Sequence, residues 1–219
     1  MQSSDEVAIQ RSEFPLAEKL RAGLENLTSI ANERYDFVDL NFKLGNLTPR
    51  FDEINYDHPE VRYKDPVIGG LLRTLDSHKC CDRPALYVFN LAGKQLPVGF
   101  SLNSLKEIKD RVKSEGAKLS PISSKSEIIV GSVLYVGVRQ PGIGKEKKLS
   151  NISSRLIAHF GYGRQKARQC GLQLARWKQF PDLEINLRVH LLPRAGADFV
   201  VVYEKLYALS CDPVFGQHR

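Results

Sequence analysis

Several things are scarce in this chain of 219 residues, and each shortage excludes a class of protein. No apolar run approaches the roughly 20 residues that a membrane-crossing helix requires, so no membrane partner is expected. The opening MQSSDEVAIQRSEF has no apolar signal region, which makes a cytoplasmic chain the expectation. Cysteine is sparse: Cys80, Cys81, Cys170 and Cys211 are the whole set, and without an export signal reduced thiols are expected rather than a disulfide frame. His78-Lys79-Cys80-Cys81 has the form of half a zinc site, but no second cluster with ligand spacing follows, so a structural reading is preferred. Repeats and low-complexity tracts are also lacking.

What is present is an ordinary globular composition, 42% hydrophobic and 26% charged, with an uneven charge distribution. The net charge is +7, yet residues 1–80 hold 10 basic and 14 acidic side chains, whereas 81–219 hold 22 basic and 11 acidic. A basic half joined to an acidic half suggests that one half faces a polyanion; a basic domain with no such partner is the plainer alternative.

Apolar Leu16, Leu20, Leu24, Leu27 and Ile30, spaced by three and four behind Pro15, predict an amphipathic helix over about 15–34. The turn-rich stretch 45–66 predicts an irregular connection. After Pro84 the pattern changes. Residues 85–89 read as a short strand, and 104–115 as a helix with Ser104 and Glu107 as its capping box and Gly116 as its stop. Residues 127–138 read as a strand turning at Gly131, 150–160 as a helix closed by Gly161, and 183–192 as a half-buried strand. The segment 197–210 is apolar almost throughout, and periodicity leaves helix or strand open. The expected fold class is α/β, a small mixed three-stranded sheet flanked by helices. Residues 1–80 would be a mostly helical extension, supporting the fold or reading DNA, and 81–219 the domain that carries chemistry.

Singly, the polar residues of this half say little. Tyr87 and Tyr135 lie in apolar strands, where a tyrosine is usually core with a tethered hydroxyl. Arg155 and His159, four apart, share a helix face, which is most simply a solvated one. Glu204 is less ordinary. On a helix its neighbours would be Val200, Val201, Tyr207 and Ala208, and a carboxylate there must be paired, protonated or bound to a metal.

In order, Ala85-Leu-Tyr87, Leu134-Tyr135-Val-Gly137, Ser154-Arg155-Leu-Ile-Ala-His159-Phe-Gly161 and Tyr203-Glu204-Lys-Leu-Tyr-Ala-Leu209, with Asp212-Pro213 behind them, resemble the signature of the GIY-YIG nucleases. The resemblance covers about 85–216 and rests on the ordered set rather than on any one motif. It implies a metal-dependent DNA endonuclease whose last segment is a helix. Glu204 would be the ligand of a divalent cation, Mg²⁺ or Mn²⁺, and Arg155 would grip phosphate through its planar donors. Tyr87 would take the proton of the attacking water, Tyr135 would orient water or phosphate, and His159 would position or relay a proton.

Three departures from the family pattern stand out. Ala85 occupies the place of the opening glycine, and no asparagine follows Pro213. Tyr87 and Tyr135 stand 48 positions apart where the family has a short hairpin, so residues 93–126 read as an insertion. The expected partner is double-stranded DNA. Its backbone would be met by Arg139, by Lys145, Lys147 and Lys148 of the Gly/Lys-rich loop, and by Arg164, Lys166 and Arg168. A restriction-type or mobile-element nuclease is the favoured sub-class, with a structure-specific repair nuclease or an inactive nucleic-acid-binding module as alternatives. One such site cuts one strand at a time, so a double-strand break would take a homodimer or two visits.

Overall fold

A computed structural model describes residues 36–123, 127–141, 152–162, 170–193 and 199–216. The chain divides into two compact units, Met1–Arg34 and Tyr35–Arg219, and the described residues belong to the second. The helix expected over 15–34 lies outside them.

The second unit is mixed α/β. Its main sheet has four strands: β1 (Asp36–Lys43), β2 (Ala85–Leu91), β4 (Val133–Arg139) and β6 (Glu184–Leu191), in the spatial order β1-β6-β2-β4. Every pairing is antiparallel. The expected sheet was three-stranded and mixed. The fourth strand is β1, whose Val38, Leu40 and Phe42 alternate with polar residues as a half-buried strand requires. It pairs along its whole length with β6 and so brings part of the acidic first 80 residues into the sheet. Strand β1 thus belongs to the second unit together with the rest of the sheet.

Five helices accompany the sheet among the described residues: α1 (Pro59–Arg62), α2 (Pro66–Ser77), α3 (Leu102–Ser114), α4 (Ile152–Phe160) and α5 (Val200–Cys211). The sequence presented Asp65-Pro66 as a turn; it starts α2 instead. The Asp65 side chain accepts from the Val67 and Ile68 amides, and Pro66 fills the first helical position, where no N–H is needed. Helix α3 begins a turn earlier than expected, and its capping box is Ser101 with Ser104 rather than Ser104 with Glu107. The apolar segment read as 197–210 is helix from Val200 onward, α5, followed by Asp212 in the left-handed region. A minor parallel pair joins β3 (Lys118–Leu119) to β5 (Cys170–Gly171).

The period-2 alternation of β2 gives the sheet two differently covered faces. On one, Tyr87, Phe89 and Leu91 join Ile185, Leu187 and Val189 in the main core, under α2, α3 and α4. Leu105, Ile108 and Val112 of α3 are fully buried there, so the segment read as an insertion contributes core. On the other face Leu86, Val88 and Val136 pack against Val200 and Ala208 of α5. No helix of the described residues is long and apolar enough to cross a membrane.

Candidate active site

Strands β2 and β4 are neighbours, and their register sets Tyr87 opposite Gly137 and Phe89 opposite Tyr135. Tyr87 and Tyr135 therefore lie on one face, with ring centroids 6.1 Å apart and nearly parallel. Gly137 is obligatory for this arrangement. A Cβ at that position would lie 2.3 Å from Tyr87 Oη, 2.4 Å from Tyr87 Cζ and 2.9 Å from Tyr135 Cε1. The tyrosine ring occupies the space a side chain would take.

Helix α4 brings Arg155 and His159 to the same face, as their four-residue spacing requires. Arg155 Nε donates to Tyr87 Oη at 3.4 Å, Nη2 donates to Tyr135 Oη at 3.3 Å, and Nη1 donates to the Cys170 carbonyl at 2.6 Å. Tyr87 Oη lies 3.2 Å from His159 Nε2, and the Leu172 amide donates to His159 Nδ1 at 3.2 Å. Two phenols, a guanidinium and an imidazole from three separated parts of the sequence thus form one hydrogen-bonded cluster. It spans the depth of the domain surface: Tyr87 is 1% exposed and His159 fully buried, whereas Tyr135 and Arg155 are half-buried.

Burial also decides the protonation states. Desolvation, followed by the neighbouring Tyr135, raises the Tyr87 pKa despite the opposing pull of Arg155 and Arg139. Desolvation, aided by Arg155 and Arg139, drives His159 well below the usual histidine range, so its ring is neutral. Tyr87 is accordingly a phenol shielded from water. That environment bears on its expected role as the water's proton acceptor, because a base must be reachable and ionised.

Glu204 stands apart from the hydrogen-bonded cluster. It occupies the stripe of α5 that carries Val200 and Ala208, the side facing the sheet. Among the described residues no hydrogen bond or ion pair reaches its half-buried carboxylate, and burial raises its pKa against the attraction of Arg139, Arg155 and Lys205. Those two arginines are its electrostatic link to the tyrosines. Arg139, at the end of β4, pairs across the sheet with Ala85 and shares the face of Tyr87; its buried Nε has no hydrogen-bond partner. The other expected DNA contacts, Lys145, Lys147, Lys148, Arg164, Lys166 and Arg168, lie outside the described residues.

Two contributors were not legible in the sequence. The main chain of Cys170 and Leu172 holds Arg155 and His159, and no side-chain motif marks a backbone contact. Arg62 Nη1, from the acidic part of the chain, donates to Ser154 Oγ at 3.3 Å, beside Arg155 on α4. None of the four cysteines is in a disulfide, and no cluster of three or more His, Cys, Asp or Glu occurs among the described residues. No family model, no curated protein and no solved structure matches the chain.

Proposed function

We propose that this chain is a divalent-metal-dependent DNA endonuclease of the GIY-YIG kind, hydrolysing phosphodiester bonds in double-stranded DNA. The observation that carries the reading is the convergence of Tyr87, Tyr135, Arg155 and His159 in one cluster, in the half of the chain with 22 basic and 11 acidic residues. A phosphate anion needs paired donors and positive charge. Arg155 is half-buried with its guanidinium on both phenols, and Arg139, on the sheet face of Tyr87, has a buried N–H without a hydrogen-bond partner.

Hydrolysis breaks the bond from phosphorus to the leaving 3′ oxygen as the water oxygen bonds to phosphorus; the water loses a proton and the leaving oxygen gains one. We assign contact with that water to Tyr135, because it is half-buried where Tyr87 is 1% exposed. Tyr87 and His159 are positioning residues behind it, holding Arg155 in place through the shared phenol oxygen. Glu204 suits a hard cation, since its half-buried carboxylate has no protein cation in contact among the described residues. Mg²⁺ or Mn²⁺ held there would stabilise the negative charge on the leaving oxygen. With one protein carboxylate, water and substrate phosphate would have to supply its other ligands.

The test is cleavage of plasmid and of branched DNA by the full chain, with Mg²⁺, with Mn²⁺ and with EDTA, beside Glu204→Ala, Tyr135→Phe and Tyr87→Phe. Discrete plasmid fragments support a restriction-type or mobile-element nuclease, and cutting confined to junctions supports a repair-type one. The expected order of loss is Glu204→Ala and Tyr135→Phe above Tyr87→Phe. DNA binding without metal-dependent cutting would support instead a binding module that kept the fold, a reading favoured by the burial of Tyr87. Activity undiminished in Glu204→Ala would remove the metal assignment.

A further inference from the structure

The imidazole of His159 is held by main chain on one side and faces a phenol on the other, which makes its tautomer readable from the geometry. The Leu172 amide can only donate, so the Nδ1 it reaches at 3.2 Å must present its lone pair. The ring proton of the neutral imidazole is then on Nε2, where it points at Tyr87 Oη. Arg155 Nε donates to the same oxygen, and so both lone pairs of Tyr87 are filled by donors.

The contacts that impose this pattern come from one short stretch. The Cys170 carbonyl accepts from Arg155, the Leu172 amide donates to His159, and the Gln173 side chain donates to the Ala158 carbonyl at 3.3 Å. Between them lies Gly171. A Cβ there would stand 2.8 Å from the Ala158 carbonyl oxygen and 3.2 Å from His159 Cα, contacts with backbone that cannot swing aside. Strand β5 can approach α4 this closely only because residue 171 has no side chain. Its far side is fastened independently: β3 pairs with it, the Ser120 amide donates to the Gly171 carbonyl at 2.9 Å, and Trp177 Nε1 donates to the Leu172 carbonyl at 2.9 Å.

We propose that Gly171 is a positioning residue of the site. By letting β5 lie against α4 it fixes His159 as the Nε2–H tautomer and makes it a hydrogen-bond donor to Tyr87, never an acceptor from it. The consequence for chemistry rests on the nuclease reading: His159 does not withdraw a proton from Tyr87, and the pair steadies Arg155 for phosphate.

The experiment is ¹⁵N NMR of the histidine rings in the full-length protein, with His159→Gln identifying the His159 signals among the five histidines. The wild type is expected to show a protonated Nε2 and an unprotonated Nδ1. Folded Gly171→Ala is expected to lose that single tautomer for a mixture, with kcat for DNA cleavage reduced by about 100-fold and KM little changed. A wild-type ring protonated on Nδ1 overturns the proposal, and this measurement stands whether or not Gly171→Ala folds. A folded Gly171→Ala that keeps the wild-type tautomer overturns it equally. The spectrum needs no DNA, so a protein that cuts nothing yet shows the Nε2–H tautomer refutes the nuclease reading alone.

Discussion

Adding one methyl group at Gly137 tests the packing of the tyrosine pair directly. The new Cβ would sit 2.3 Å from Tyr87 Oη and 2.4 Å from Cζ, so the ring must move. Tyr87 is 1% exposed and wedged among Phe89, Tyr135 and His159, which leaves it little room. Overpacking of this sort costs about 1–3 kcal/mol. The displaced hydroxyl also loses good geometry to His159 and Arg155, at about 0.5–1.5 kcal/mol for each bond weakened. Gly137→Ala is therefore expected to lose roughly 2–6 kcal/mol, measured by urea unfolding, or roughly 4–24 °C in Tm for a domain of this size. The control is a double-mutant cycle. In a Tyr87→Leu background only the Tyr135 ring, 2.9 Å from the new Cβ, is left to give way, and the same methyl is expected to cost clearly less than in the wild type. An equal loss in both backgrounds would refute the reasoning, because the methyl would then be striking something other than Tyr87.

Three further expectations concern charge and core. Glu204 has its pKa raised by burial, so the folded state binds its proton more tightly than the unfolded chain does, and stability falls as pH rises above the ordinary 4.5. Glu204→Gln is expected to raise the Tm of the metal-free protein at neutral pH, with the gain fading as pH falls towards 4.5, and to remove the Tm increase that the proposed metal site predicts for the wild type with Mg²⁺. His159 has the opposite linkage: its lowered pKa means that the unfolded chain takes up a proton first, so stability drains away as pH falls below 6.5. His159→Gln should flatten that limb of the stability–pH curve, and an unchanged slope would show that another group controls it. Ile108, fully buried in α3, tests whether residues 93–126 are an appendage: Ile108→Ala is expected to cost about 2–5 kcal/mol in urea unfolding, whereas an appendage would lose next to nothing.

Much of the framework was legible because it follows from periodicity. The strands at 85–91 and 184–191 and the helix closed by Gly161 all show in the spacing of apolar residues, and Gly161 does adopt the positive φ expected of a stop. What escaped had a local signal that pointed two ways. Asp65-Pro66 is as good a turn as a helix start, and only Val67, Ile68, Leu71, Leu72 and Leu75 behind it decide for the helix. The alternation of Val38, Leu40 and Phe42 is too short to announce a strand without β6 beside it. In the site, the side chains that meet through a shared helix face or adjacent strands were foreseeable. Contacts made by carbonyl and amide groups, such as those of Cys170 and Leu172, are invisible in residue identity because every residue offers them.

The long connection between the two tyrosines has a consequence for anyone who would shorten it. Trimming 93–126 to a hairpin would leave β2 and β4 paired as before, with Tyr87 still across from Gly137, and by the ladder alone the result should be sound. It would also take away Leu119 and Ser120, whose backbone anchors β5 from behind, and Phe100, which lines Trp177. The shortened protein would keep the clustered tyrosines, arginine and histidine and lose the wall they lean on. The extra length is the far end of a bracket, joined to the site through two residues of strand.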